Sequence, residues 1–305
     1  MIARIRPEFF IVGAPKCGTT ALYTYLDAHP GIFMSRVKEP YHFCPDLRIG
    51  LPTIADRDGY LALFRDASEA QLAGEASVWY LYSRQAARLI REFNPDARII
   101  IMLRSPAEMA FSLYNHYHYS GIEPLTTFEA ALDAEADRRA GRRLPTHRDV
   151  RETLFYREVV RYAPQVGRYL DVFGKEQVRV ILFEDFRDQT ESVYRETLDF
   201  LGVETGFVPG FRIINEARRI RAPLLHRLLS RPAPAALKWM AREVPVASRF
   251  RRWLKRANTE RGRPTAMAPG TRRALDRELR ADVDALGQLI VRDLSAWHAP
   301  RDSSA

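Results

Sequence analysis

The 305-residue sequence predicts an α/β protein in three layers: a central parallel sheet flanked by helices, with a basic helical region added late in the chain. Short apolar runs alternate with stretches of helical periodicity, which is the pattern of strand–helix–strand units. Ile99 to Leu103 is apolar without interruption, as expected of a strand buried on both faces. Glu8 to Leu26 passes from an apolar run through a glycine-bounded loop into a helix, so the first unit is visible directly.

In chain order, the first strand ends near Gly13 and a helix follows Gly18. Residues 32–35 and 72–76 read as short strands, and 84–93 as a helix. After the strand at 99–103, Ser105 and Pro106 supply an N-cap and a first helical residue for a helix through Tyr114. Residues 128–139 and 157–173 each read as one helix. The run 177–183 is a strand, followed by the acidic pair Glu184–Asp185 and a helix at 190–201. Beyond Gly202, five prolines (Pro209, Pro223, Pro232, Pro234 and Pro245) leave only short helical stretches such as 224–229 and 235–242. A long periodic helix at 269–294 closes the pattern. The expectation is one domain over 1–305: an α/β core at 8–205, a basic lid or acceptor region at 206–263, and a loop with a packing helix at 264–298.

Gly13 to Gly18 encloses Ala14, Pro15, Lys16 and Cys17, with Thr19, Thr20 and Ala21 opening the helix. Loop amides and the positive end of a helix form a cradle for a phosphate-like anion. The glycine spacing matches a P-loop. A nucleotide triphosphatase, however, places Gly-Lys-Ser/Thr at its end, with the lysine on the outer phosphates and the hydroxyl on magnesium. Here Gly18 precedes two threonines and the lysine lies inside the loop as Lys16. That arrangement suits a transferred group other than a γ-phosphate.

The strand at 99–103 ends in Arg104, where a kinase or ATPase often carries an acid that helps hold magnesium. Arginine suits a bidentate phosphate contact. Ser112, eight residues on, lies about two helical turns along and adds a hydroxyl donor.

Together these segments resemble the sulfotransferases that use 3′-phosphoadenosine 5′-phosphosulfate (PAPS). The resemblance implies that Pro15, Lys16, Cys17, Gly18, Thr19, Thr20 and Ala21 hold the 5′-phosphosulfate, while Arg104 and Ser112 hold the 3′-phosphate. Arg36-Val37-Lys38-Glu39-Pro40-Tyr41-His42-Phe43 is similar to the Lys-Glu-Pro-His-Phe-Phe stretch of the bacterial and heparan-sulfate-type branch. There the glutamate is the catalytic base, which implies that role for Glu39. The inserted Tyr41 disturbs the match around His42, and His42 is the rival base, because the cytosolic branch uses a histidine. Gly74-Glu75-Ala76-Ser77-Val78-Trp79-Tyr80 resembles an acceptor-side segment without its lysine, implying Glu75 at the acceptor. His116 and His118 are expected to line the acceptor cleft or cap a helix. Thr259-Glu260-Arg261-Gly262-Arg263-Pro264 resembles the loop that folds over the nucleotide, with Arg261, Gly262 and Arg263 as cofactor contacts. The implied reaction is in-line transfer of a sulfuryl group from PAPS to an acceptor hydroxyl, or less readily an amine, without a metal. The acceptor is a carbohydrate, lipid or other small molecule.

The net charge is +9, but fourteen Lys and Arg between Arg218 and Arg263 face only Glu243 and Glu260. That segment favours anionic partners. It reads as a lid over the site, or as an amphipathic patch that touches a membrane surface or an acyl-linked acceptor. Two rival classes remain in view: a P-loop kinase or NTPase, and a non-catalytic module binding anions or nucleic acid. The paired phosphate sites argue against both, and no nucleic-acid partner is expected. No apolar run reaches about 18 residues, and the first strand begins too early to leave room for a leader peptide, so the expected location is cytoplasmic. Cys17 and Cys44 are the only cysteines and are expected as free thiols, with no zinc-type spacing.

Overall fold

The computed structural model describes residues 6–145, 150–212 and 266–298 in full, with the backbone of 218–220 and 259–261. Five strands form one parallel sheet: β1 (Phe9–Gly13), β2 (Ile32–Met34), β3 (Leu72–Ala76), β4 (Arg98–Leu103) and β5 (Val178–Leu182). Their order is β2-β3-β1-β4-β5. β1 pairs with β3 through Phe9↔Gly74 and with β4 through Phe9↔Arg98, and β4 pairs with β5 through Ile99↔Val178. Every residue of β1 is buried, as are the last five of β4. The uninterrupted apolar runs in the sequence follow from that double-sided cover.

From β1 the chain crosses toward β2 at one edge, and from β4 it crosses toward β5 at the other. Neighbouring strands whose connections diverge open a crevice at their carboxyl ends, where ligands of open α/β sheets bind. The loop at 13–18 and Arg104 flank that crevice.

Helices cover the sheet. α1 (Thr19–Asp27) follows β1, α2 (Arg57–Leu61) and α3 (Ala86–Phe93) flank β3, and α4 (Pro106–Ser120) follows β4. The expected helix at 128–139 bends at Ala134 into α5 (Phe128–Asp133) and α6 (Glu135–Arg139). The one expected at 157–173 is two, α7 (Tyr156–Val159) and α8 (Tyr162–Phe173). Pro164 accounts for that break: an uninterrupted helix would set its ring against the carbonyl of Val160. A restart at Tyr162 puts the proline in the first turn, where its missing N–H costs nothing.

The acidic pair after β5 begins α9 (Phe183–Asp188), where negative charge suits a helix N-terminus, and α10 (Thr190–Phe200) follows. Short α2 gave no periodicity to read, but Asp56 caps it through the Gly59 amide at 2.6 Å. The last helix, α11 (Pro269–Ile290), buries Leu275, Leu279, Val283 and Leu286 on one stripe and packs on α8 and α4. It stops four residues before the expected end, at Val291, whose φ is 52°.

Two further strands, β6 (Arg218–Ile220) and β7 (Thr259–Arg261), pair antiparallel, bringing together the ends of the basic segment. The helical stretches expected at 224–229 and 235–242, with Gly262 and Arg263, lie outside the described residues. Both cysteines are buried and free.

Candidate active site

β1 ends where its backbone must leave the sheet. Gly13 has φ 150°, and a Cβ there would lie 2.7 Å from the Val78 carbonyl oxygen and 2.8 Å from Leu81 Cβ. Only glycine fits. The Ala14 amide donates to the Met102 carbonyl at 2.6 Å, tying the start of the loop to β4. The chain then turns through Lys16 (φ 64°) and Gly18 (φ 87°) into α1, and the Cys17 thiol donates to the Pro15 carbonyl at 3.4 Å. Gly18 caps α1 without a side-chain hydrogen bond, and the first turn holds no acidic residue. First-turn amides have no acceptor within a helix. The Thr19 and Thr20 amides at the positive end of α1 are thus left to an anion, while that of Ala21 turns back to the Gly18 carbonyl at 2.9 Å.

Lys16 is mostly enclosed. Burial lowers its pKa, the Cys17 and Glu39 side chains oppose that shift, and Arg104 and Lys38 reinforce it. Cys17 itself is pushed up to about 12 by burial, so its thiol stays protonated. The expected loop lysine, strand-end arginine and glutamate therefore share one electrostatic neighbourhood, although they come from three separate segments.

Arg104 leaves β4 and is held on two sides. Its Nη2 and Nε donate to Glu108 Oε2 at 2.6 and 3.2 Å, and its guanidinium lies 5.0 Å from the centre of the Phe183 ring. A Cβ on Gly18 would meet that same ring at 3.1 Å, so Phe183 packs between the loop and the arginine. The other Glu108 oxygen accepts from Arg272 Nη1 of α11 at 3.2 Å. Sequence reading missed all three supports. Glu108 sits one turn after Arg104, a cue available in the sequence, but Phe183 and Arg272 become neighbours only through the fold. Ser105 occupies the N-cap position of α4 as expected, yet its hydroxyl makes no cap bond and is buried without a partner among the described residues.

Glu108, Ser112 and His116 recur every fourth residue, so they share one stripe of α4 about 12 Å long. At one end Glu108 holds Arg104. At the other, His116 opens to the cleft, yet the surrounding protein, then Lys16, lowers its pKa, with Glu39 opposing. The ring is neutral at physiological pH. His118 instead stacks on Tyr114 with centroids 5.7 Å apart, and its Nδ1 lies 3.3 Å from the Glu123 carbonyl oxygen.

Glu39 sits in a loop pinned to the end of β3, its amide donating to the Ala76 carbonyl at 2.9 Å. Lys38 Nζ approaches Oε1 at 2.7 Å, and the Tyr41 hydroxyl donates to Oε2 at 2.5 Å. His42 is placed differently. Its ring stacks on Tyr60 with centroids 4.3 Å apart, and its Nδ1 lies 2.7 Å from the Ile54 carbonyl oxygen. As that carbonyl can only accept, Nδ1 carries the hydrogen. The inserted Tyr41 thus separates two residues that the sequence grouped together.

Glu75 is not at an open surface. It is 0% exposed, and its oxygens accept from Tyr60 (2.8 Å), Tyr80 (3.0 Å) and Ser77 (2.8 Å). The glutamate expected beside the acceptor is a buried node beneath the loop that carries Glu39. Burial raises its pKa from 4.5 to about 7, with the three hydroxyls opposing. A carboxyl that binds its proton more tightly when folded imposes no penalty below pH 4.5. The penalty grows as pH rises toward 7 and then levels off, at on the order of 3 kcal/mol. Glu75→Gln is expected to flatten that fall of stability between pH 4.5 and 7 in chemical denaturation. An unchanged pH profile would remove Glu75 as its source.

Of the expected nucleotide loop, Arg261 is described only as backbone in β7. Among the described residues no group of three or more His, Cys, Asp or Glu is placed to hold a metal, and no helix is long and apolar enough to cross a membrane. Lys16, Arg104 and the amides that open α1 gather positive charge at the crevice, with Ser112 on the helix that follows Arg104.

The chain is similar to several known proteins. Residues 6–215 match the family described as "Sulfotransferase domain". Human carbohydrate sulfotransferase 15 is 28% identical over 254 residues, which cover 66% of this chain and 44% of the relative. Human bifunctional heparan sulfate N-deacetylase/N-sulfotransferase 3 is 30% identical over 203 residues, covering 65% of this chain and 22% of the relative. The chain thus spans less than half the length of these curated relatives. A crystal structure of a sulfotransferase from Alicyclobacillus acidocaldarius is 35% identical, with a TM-score of 0.74, and the match covers 97% of this chain and all of that one.

Proposed function

The chain belongs to the sulfotransferase domain family, and from that premise we propose that it transfers a sulfuryl group from PAPS to a hydroxyl of a carbohydrate or another small acceptor. The observation that carries this reading is the meeting of Lys16, Glu39 and His116 at the positive end of α1, with Arg104 across the β1–β4 crevice. Carbohydrate is placed first among acceptors because the relatives are named for it.

Each residue then has a task. The α1 amides and Lys16 stabilise charge that develops on the departing phosphate oxygen, as pre-aimed donors do in acyl and phosphoryl transfer. Arg104 and Ser112 hold the 3′-phosphate, with Phe183, Glu108 and Arg272 keeping the arginine in place. Glu39 takes the proton of the acceptor hydroxyl. Neutral His116 offers a hydrogen bond that orients that hydroxyl. As the new S–O bond to the acceptor forms, the S–O bond to the phosphate breaks. Its electron pair leaves on the nucleotide, and the proton remains on Glu39. His42, committed to the Ile54 carbonyl and the Tyr60 ring, is assigned to shaping the loop.

The test is label transfer from PAPS to a panel of glycosaminoglycans, glycolipids and phenols. Labelled product made by the wild type and not by Glu39→Gln supports the reading. Magnesium-dependent ATP hydrolysis with no transfer from PAPS would replace it with the kinase-like class.

A further inference from the structure

We propose that Tyr41 is a positioning residue for the base: its hydroxyl, with Lys38 on the opposite oxygen, clamps the Glu39 carboxylate in the orientation that receives the acceptor's proton. The proposal rests on the assignment of Glu39 as base.

A clamp is needed because a glutamate has three rotatable bonds, and freezing it costs entropy that must be met elsewhere. Both Glu39 oxygens already carry a donor, Lys38 Nζ at 2.7 Å and the Tyr41 hydroxyl at 2.5 Å. The tyrosine is only 3% exposed, so its ring is fixed by packing. Its backbone has φ 53° and that of Glu39 has φ 65°. Two non-glycine residues in the left-handed region, two positions apart, are uncommon. That backbone is what lets a side chain two residues on turn back to its neighbour's carboxylate.

The loop is tied down at several points. The Tyr41 amide donates to Ser77 Oγ at 3.3 Å, Ser77 donates in turn to buried Glu75, and the Ile54 amide donates to the Pro40 carbonyl at 3.0 Å. Burial and the adjacent Glu39 push the Tyr41 phenol well above its ordinary pKa, so it remains a neutral donor and does not compete as a base. The groups facing the carboxylate are Lys38 and Tyr41 from its own loop, Lys16 from the loop after β1, and His116 and Tyr117 from α4. Only Lys38 and Tyr41 hydrogen-bond it among the described residues.

Tyr41→Phe retains the ring and deletes the donor, so the variant is expected to fold with an unchanged melting temperature to within a few degrees. Turnover should fall about tenfold or more, because a misdirected base loses the benefit of orientation, while the KM for PAPS stays within about twofold. The deciding readout is the double variant. In a Glu39→Gln background, adding Tyr41→Phe should cost little more, because groups acting as a unit are not additive. The same fold-loss in both backgrounds, or a fall in turnover matched by an equal rise in the KM for PAPS, would overturn the proposal. Near-normal turnover by Glu39→Gln alone would instead sink the base assignment, a failure visible with Tyr41 intact.

Discussion

Lys16→Ala is expected to lose both turnover and donor binding. The ammonium faces the charge on the phosphosulfate before reaction and the larger charge that develops as the S–O bond breaks, so its removal acts on both states. Loss of a charged hydrogen-bond donor costs about 1.5–3 kcal/mol of ground-state affinity, roughly ten- to a hundredfold in the dissociation constant. Loss of a pre-aimed donor from the transition state costs a further factor of about 10²–10³ in kcat. Burial already lowers the pKa of Lys16, and the Cys17 and Glu39 side chains oppose that shift. Calorimetric titration with 3′-phosphoadenosine 5′-phosphate (PAP), together with steady-state kinetics, separates the two effects. Full affinity in Lys16→Ala would place the lysine outside the phosphate cradle.

Glu39→Gln should behave in the opposite way. A general base is worth about 10²–10⁴-fold in rate and little in the affinity of a nucleotide it does not touch. The variant should therefore bind PAP nearly as well as wild type while turnover collapses. Gln keeps the length of the side chain and one of the two acceptor oxygens that Tyr41 and Lys38 use, and it cannot take a proton, so the loss it shows includes that of proton transfer. If Glu39→Gln remained active and His42→Ala were dead, the base would be His42. The Tyr60 stacking and the Ile54 contact would then have to open in the working enzyme.

How much of this was legible in the sequence depends on the range over which each cue acts. The β1–loop–α1 unit was readable because strand, glycines, lysine and helix start are contiguous, and their conformations follow from local rules. Arg104 and Ser112 were readable because one strand end and one helix fix both. The supports of Arg104 were not, since Phe183 and Arg272 lie far beyond it in the chain and reach it only once β5 and α11 are docked. The burial of Glu75 was not legible for a related reason. Its segment looked acceptor-facing, but strand alternation alone cannot say that Tyr60, Tyr80 and Ser77 converge on the carboxylate. Tyr41 was visible as an insertion, yet only its left-handed backbone shows that the extra residue folds back onto Glu39. The single helices expected at 128–139 and 157–173 failed at a flattened Ala134 and at Pro164, where periodicity continues but the backbone does not.

The most direct test of the central claim, a donor site that reads two separated phosphates, is calorimetric titration with PAP, adenosine 5′-phosphate and ATP. It is run on wild type and Arg104→Ala, with magnesium and with EDTA. The account predicts that PAP binds wild type at least tenfold more tightly than adenosine 5′-phosphate, whether or not metal is present. It also predicts that Arg104→Ala weakens PAP by about 1.5–3 kcal/mol and leaves adenosine 5′-phosphate almost unaffected. Equal affinity for PAP and adenosine 5′-phosphate, or a preference for magnesium–ATP that EDTA abolishes, would contradict it.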